Sequence, residues 1–565
     1  MGYRARVFAI SLGLKRTWLH PVLISPSNRD TKAMDTASPM HDNYMTAKAH
    51  YLNFLDRDLI ERSGSQEAIR TTPLFSLNVK FAIDTDLRRQ APGAACRAAA
   101  RAPTPDKRRY ELGETTDKQT TPTTDIISHQ RLHAEPVLPQ YGLLGFNVGE
   151  HSRINEHEPI MLNVHAPNSA FICGSQGSGK SYTLNCILES CLLFDRDIGQ
   201  LHGPTAGLAF HYDMDSSGAI AETVHLCSRG IKVNVLVSNS NFDITKRRYH
   251  AATNNAENVR VQRFLLPPSE LSIERMHKLM AFSEKSDSIP LYMEVIQRIL
   301  RQMAMAGQGR AFNYGEFLRL LESASLTNDQ QRPMRLRLDQ LQSFMRWPPT
   351  KADLKRSTPR ELLELQPGSL TIVDLSDPFI DDATVCVLFD ICLSLAKEKR
   401  PSCGLVIALD EAHKYMQQSP AASNFTTGLL TTIREQRHIG TRVVISTQEP
   451  TISEKLLDLC SITIVHHFKS PAWFQTIRNH LGAASDLLND AREQAALFED
   501  IMALDVGESR VFAPSAFVCT NTDGHPERLG SSILHMKTRS RFGVDGGVSV
   551  LVGEEYGSAD STNTL

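Results

Sequence analysis

The segment FICGSQGSGKSYTLNCILES (171–190) restricts the possible folds more than any other part of the chain. A short apolar run leads into Gly174, Gly177 and Gly179, which let the backbone turn tightly. A helix follows, with Leu184, Ile187, Leu188, Cys191 and Leu192 on one face. The spacing Gly174-x-x-x-x-Gly179-Lys180-Ser181 is the phosphate-binding loop pattern. In such a loop successive N–H groups point inward around phosphates, and the helix beginning near Lys180 adds the positive end of its dipole. Gly174, Ser175, Gln176, Gly177, Ser178, Gly179, Lys180, Ser181 and Tyr182 are the expected ATP-binding residues. Lys180 is expected to reach the β- and γ-phosphates, and Ser181 to coordinate Mg²⁺.

A second acidic element fits the same chemistry. GLVIALDEAHKYM (404–416) reads as an apolar strand ending in Asp410 and Glu411, which places both at the carboxyl edge of a sheet. Asp410 is expected to hold Mg²⁺ or its water, and Glu411 to polarise the attacking water. TRVVISTQ (441–448) is a further buried strand, whose Thr447 and Gln448 are expected beside Asp410, with Gln448 sensing the γ-phosphate. Arg434 and Arg437, near the end of the helix TTIREQRHIG, either complete a neighbouring subunit's site or complement the dipole of their own helix. His413 reads as a neighbour of the site rather than a catalyst, and Asp213 and Asp374 as turn-forming ends of strands. The basic runs RPMRLRL (332–338) and MKTRSRF (536–542) are either solvated faces or contacts to phosphate backbones.

Beyond these motifs the chain is uneven. Residues 1–135 carry 20 Lys+Arg against 15 Asp+Glu and are interrupted by Pro, Ala and Thr, so this basic segment is expected to be mostly disordered and to add no core. From 136 the pattern becomes α/β. Strands are expected at Ile160–Val164, Ala170–Cys173, Leu208–Asp213, Val233–Val237, Leu370–Asp374, Val406–Asp410, Val443–Thr447 and Ile462–His466. The expected organisation is a first core part (136–255), an all-helical insertion (256–364), a second core part (365–553) and a loose tail (554–565).

Net charge is −2, so no global field draws the chain to nucleic acid or membrane. No apolar run reaches the ~20 residues of a spanning helix. The 10 Cys include no CxxC pair, which fits thiols in a reducing compartment. An intracellular site, cytoplasmic or nuclear, is expected, and the acid-free basic stretch Met1–Asn28 leaves a mitochondrial one open.

The run EPIMLNVHAPNSAFICGSQGSGKSYTLNCILE (158–189), with DEAHKYM (410–416), IREQRHIG (433–440) and ISTQEP (445–450), resembles the HerA/FtsK branch of P-loop ATPases, most of all its HerA side. That resemblance implies a RecA-like core of the ASCE division, ATP hydrolysis between subunits of a homo-oligomeric, hexameric ring, and translocation of double-stranded DNA. Gln176, Gln436 and Glu449 stand where the family carries Thr, Gly and Arg. The alternative reading is an ATPase that acts on protein, or as a switch, without nucleic acid. DEAH also resembles superfamily-two helicases, but too little chain follows Gln448 for their second lobe.

Overall fold

The computed structural model describes residues 64–85, 136–150, 153–214, 219–281, 291–307, 312–324, 326–350, 361–417, 419–480, 491–522 and 524–546, all within one compact unit. The strands are β1 (Leu74–Ser76), β2 (Tyr141–Asn147), β3 (Pro159–Asn163), β4 (Ser169–Cys173), β5 (Gly199–Gln200), β6 (Ala206–His211), β7 (Lys232–Val237) and β8 (Val259–Arg263). They continue with β9 (Ser369–Asp374), β10 (Leu405–Leu409), β11 (Thr441–Thr447), β12 (Ile462–Val465), β13 (Glu508–Phe512), a separate hairpin of β14 (Cys519–Thr520) and β15 (Pro526–Glu527), and β16 (Leu534–Thr538). The helices used below are α1 (Gly64–Arg70), α2 (Lys180–Leu192), α3 (Phe242–Ala252), α4 (Ile273–Ala281), α5 (Leu291–Gly307), α6 (Tyr314–Glu322), α7 (Asn328–Ser343), α8 (Asp382–Glu398) and α9 (Pro420–Ile439).

One 14-stranded sheet organises the molecule, in the order β1-β3-β2-β16-β13-β12-β4-β11-β10-β6-β9-β7-β8, with β5 beside β2. From β12 to β8 every pairing is parallel; from β13 to β1 every pairing is antiparallel. The parallel strands β4, β6, β9, β10 and β11 are buried along their whole length, which is why their sequences are continuous runs rather than alternating ones. Successive residues still alternate between faces. Phe171, Leu208, Phe210, Ile407, Leu409 and Ile445 share one apolar cluster with the helical insertion. Ala170, Ile172, Ala209, Ala408 and Val444 share the other with α2.

The insertion holds α4, α5, α6 and α7, whose Met276, Ile296, Phe317 and Leu341 join the first cluster, so the insertion is continuous with the main core. It starts later than the sequence suggests: residues 259–263 form edge strand β8, parallel to β7. Another expectation fails in Gly64–Thr85. Leu74, Phe75 and Val79 are fully buried, and β1 pairs with β3 through Leu74↔Leu162, so this piece does contribute core. The sequence does show a short patterned run at Leu74–Ile83, but one too brief to mark the segment as core. The rest of the N-terminal segment and the tail 554–565 lie outside the described residues. Among the described residues no helix is long and apolar enough to cross a membrane.

Helix α2 is covered on both sides. The sheet takes its apolar face, and the chain after β16 takes the opposite one, where Glu189 is fully buried. Its carboxylate accepts from Arg539 Nη1 (2.8 Å), Gly543 N (2.8 Å) and Phe542 N (3.2 Å). Near the N-terminus of α2 runs a polar chain. Thr538 and Thr183 hydroxyls lie 2.9 Å apart, Thr183 Oγ1 is 3.1 Å from His466 Nε2, and His466 Nδ1 is 2.7 Å from the Glu508 carbonyl. A carbonyl can only accept, so Nδ1 carries the proton, Nε2 accepts from Thr183, and the ring is neutral.

Burial pushes the pKa of His466 down to about 4. The unfolded imidazole takes a proton near 6.5, so the stability this group contributes is complete above pH 6.5 and is lost as the pH falls toward 4. Acidification from pH 7 to 5 should cost ~2 kcal/mol from this group, read as a lower denaturant midpoint. His466→Gln should flatten that part of the profile; an equally acid-sensitive variant would assign the effect elsewhere.

Candidate functional site: a phosphate-binding loop at the carboxyl edge of the sheet

Strand β4 delivers the chain into the glycine loop. Gly174, Gly177 and Gly179 have φ of 156°, 76° and 104°. A Cβ on Gly174 would stand 2.7 Å from His466 Cβ, and one on Gly179 would stand 3.0 Å from the Gly507 amide nitrogen. Both positions therefore require glycine for space as well as for conformation. Ser175 donates from N (2.8 Å) and Oγ (2.9 Å) to the His467 carbonyl, and Gly507 N donates to the Ser178 carbonyl (3.1 Å). These bonds fasten the loop to the chain after β12 on one side and to the turn before β13 on the other.

Helix α2 starts at Lys180 with Gly179 as its N-cap, without a side-chain cap and without an acidic residue in its first turn. Its leading N–H groups and positive dipole end thus have no competing protein anion nearby in sequence, which suits an anionic ligand. Lys180 Nζ arches back to the Ser175 carbonyl at 3.0 Å. Burial pushes its pKa below the usual lysine range, while Glu411 and then Asp410 pull it back up.

Across the site, Asp410 directly follows β10, and its N–H donates to the Phe210 carbonyl (3.2 Å). Its Oδ1 accepts from Ser181 Oγ (3.3 Å) and from Glu411 N (3.1 Å). Burial drives the Asp410 carboxyl above the ordinary carboxylate range, opposed first by His211. A hydroxyl and a carboxylate converging in this way form a donor set that a hard divalent cation takes, so Ser181 and Asp410 fit Mg²⁺.

Glu411 has left-handed backbone geometry, φ 47° and ψ 46°, at a cost of ~1–2 kcal/mol for a side chain with a Cβ. Its Oε2 lies 3.4 Å from Gln448 Nε2 and 3.3 Å from His413 Nδ1. Burial pushes His413 below the ordinary histidine range, and its Nδ1 also accepts from the Gln448 backbone N–H at 3.4 Å. Gln448 Nε2 also donates to Gln176 Oε1 at 2.6 Å, joining the loop apex to the end of β11. Strand β11 lies between β4 and β10, so Lys180, Ser181, Asp410, Glu411 and Gln448 converge from three adjacent strands.

Of these, Lys180, Ser181 and Glu411 line a cleft of about 610 Å³, within the range of small-ligand sites. The loop residues Gln176, Gly177 and Gly179, with Tyr182 and Glu411, line one side. The other wall comes from a part of the chain that carries no nucleotide motif: Val506, Gly507, Lys537, Thr538, Ser540 and Asp545. The basic run 536–542 turns both of its arginines inward. Arg539 is buried against Glu189, and Arg541 against Glu222 at 2.8 Å. Arg434 and Arg437 are exposed near the C-terminal end of α9 and do not line the cleft. Asp213 pairs with Lys414 at 3.2 Å, and Asp374 accepts from the Tyr249 hydroxyl of α3 at 2.7 Å.

No protein-family model matches this chain, and no curated protein matches it. Among solved structures, it is similar to VirB4 of Thermoanaerobacter pseudethanolicus at 11% identity and a TM-score of 0.41, over 71% of this chain and 97% of that one. It is similar to the cytoplasmic domain of the type VII secretion ATPase EccC of Thermomonospora curvata at 12% identity and 0.29, over 73% and 29%. The genome packaging NTPase B204 of Sulfolobus turreted icosahedral virus 2, in complex with ATP-gammaS, is similar at 10% identity and 0.23, over 61% and 92%. At these TM-scores the likenesses carry no weight for function.

Gly179→Ala should introduce ~1–3 kcal/mol of strain and weaken binding of a fluorescent ATP analogue roughly 10- to 100-fold, with an unchanged far-ultraviolet circular dichroism spectrum. Unaltered affinity would mean that phosphates are held elsewhere.

Proposed function

We propose that this protein binds ATP with Mg²⁺ and hydrolyses it to ADP and phosphate. The observation that carries the reading is the convergence of Lys180, Ser181 and Glu411 on one cleft beside an uncapped helix N-terminus, with Asp410 bonded to Ser181 and Gln448 to Glu411. The loop N–H groups and Lys180 hold the phosphate oxygens. Ser181 and Asp410 would hold Mg²⁺, which would supply positive charge to offset the charge that develops on the transferred phosphoryl group. Glu411 orients and polarises the attacking water as general base, and Gln448, bonded to the same carboxylate, stands where it can register the γ-phosphate.

The motif resemblance to HerA-type ATPases supports a finer reading, a homo-oligomeric ring, hexameric in that family, moving double-stranded DNA. Exposed Arg434 and Arg437 are not among the residues lining this chain's own cleft, which suits a role at a neighbouring copy's nucleotide. A second reading, an ATPase that acts on protein without nucleic acid, draws support from Glu449, acidic where the resemblance expects Arg, and from the net charge of −2.

Steady-state ATP turnover by the full chain, with and without duplex DNA, tests both. Glu411→Gln should lower kcat by ~10²–10⁴ while leaving ATP affinity within about threefold. Turnover that ignores Glu411→Gln would remove the assigned base. Acceleration by duplex DNA would favour the translocase reading, and its absence the protein-directed one.

A further inference from the structure

Directly behind the Asp410 carboxylate sits a buried histidine that the chemistry above does not use. His211 ends β6, is 5% exposed, and neither ring nitrogen has a hydrogen-bond partner among the described residues. Leaving a buried N–H or ring nitrogen unpaired is costly, so an unmatched imidazole in a well-packed interior needs a reason. The pairing of β6 with β10 supplies its neighbour. Phe210 is in register with Leu409, which sets His211 beside Asp410 on adjacent parallel strands, ~4.8 Å apart between chains. Both residues follow alanines, Ala209 and Ala408, that pack on the α2 face of the sheet, so both side chains emerge on that face.

The bonding of the two flanking carboxylates differs. Asp374 is the register partner of His211 on the other side. Its oxygens already accept from the Tyr249 hydroxyl (2.7 Å) and Ser376 N (3.0 Å). At Asp410 both donors fall on Oδ1, and among the described residues no hydrogen bond reaches Oδ2. An unmatched imidazole and an unmatched carboxylate oxygen thus stand in register on one face. Two further buried polar atoms lack a hydrogen-bond partner among the described residues: Ser446 Oγ, on the strand beyond Asp410, and Asn185 Oδ1, one helical turn after Ser181.

We propose that His211 is a positioning residue for Asp410, donating an imidazole N–H to Oδ2, directly or through one water, and so fixing the carboxylate that faces Ser181 and the divalent cation. This rests on the ATP·Mg²⁺ reading above and deepens it. His211 touches neither phosphate nor water in the reaction; it acts through the orientation of Asp410.

The test measures Mn²⁺ affinity by electron paramagnetic resonance on the full chain loaded with a non-hydrolysable ATP analogue. His211→Ala should weaken Mn²⁺ binding about tenfold and leave the analogue's affinity in EDTA unchanged. His211→Gln, which keeps a side-chain donor, should recover most of the loss and covers the case in which the alanine variant misfolds. A folded His211→Ala chain whose Mn²⁺ affinity stays within twofold of wild type would overturn the proposal. So would equal losses in Ala and Gln accompanied by equal drops in thermal midpoint, which would mark a packing role. A wild-type chain that binds the analogue in neither condition would overturn the ATP reading itself, and this one with it.

Discussion

The buried contact between Glu189 and Arg539 is the interaction on which the nucleotide cleft depends. Helix α2 presents its first turn to the cleft, and that turn can only be placed if the rest of the helix cannot shift. The sheet fixes one side of α2 through apolar contacts, which resist separation but allow sliding. Glu189 removes that freedom, because its carboxylate is matched by one guanidinium and two backbone amides from the segment after β16. Burying two charges is costly unless every lone pair and proton finds a partner. Here Arg539 also donates to the Leu143, Cys186 and Ser540 carbonyls. The pair therefore favours one register of helix against cover far more than it adds net stability.

The same matching recurs inside the cleft. Lys180 is disfavoured as a cation by burial, and Asp410 as an anion, yet each opposes the other's shift. A strained Glu411 backbone at positive φ belongs to this economy of position. The turn after β10 directs Asp410 toward Ser181 and, one residue later, sends Glu411 to Gln448 and His413. No ordinary extended or helical geometry gives two consecutive carboxylates such different tasks.

Much of this was readable in the sequence, and for a physical reason. Doubly buried parallel strands such as β4, β10 and β11 must be apolar at every position, so they stand out. A glycine loop with Lys180 and Ser181 is local, and so is Asp410–Glu411 at a strand end. The antiparallel wing was harder, because β1 is three residues long and β13 mixes buried with half-exposed positions. Charge alone also misled: MKTRSRF shows basic residues but not the partners Glu189 and Glu222, which lie hundreds of positions earlier. His211 had no mark at all, since a histidine ending a strand acquires meaning only when pairing sets Asp410 beside it.

The strand order carries a consequence for how the molecule is built. β16, at 534–538, lies between β13 and β2. Among the described residues it is the one strand that joins β1, β2 and β3 to the block that carries the glycine loop. A ribosome therefore releases the loop, the acidic pair and most of the parallel sheet well before the piece that locks α2 can reach it. Until then the wing formed by β2 and β3 has no edge to join, and Glu189 has no guanidinium. In a growing chain the glycine loop and the acidic pair thus stand without their latch until the segment after β16 has been made, and the cleft takes its final form only then.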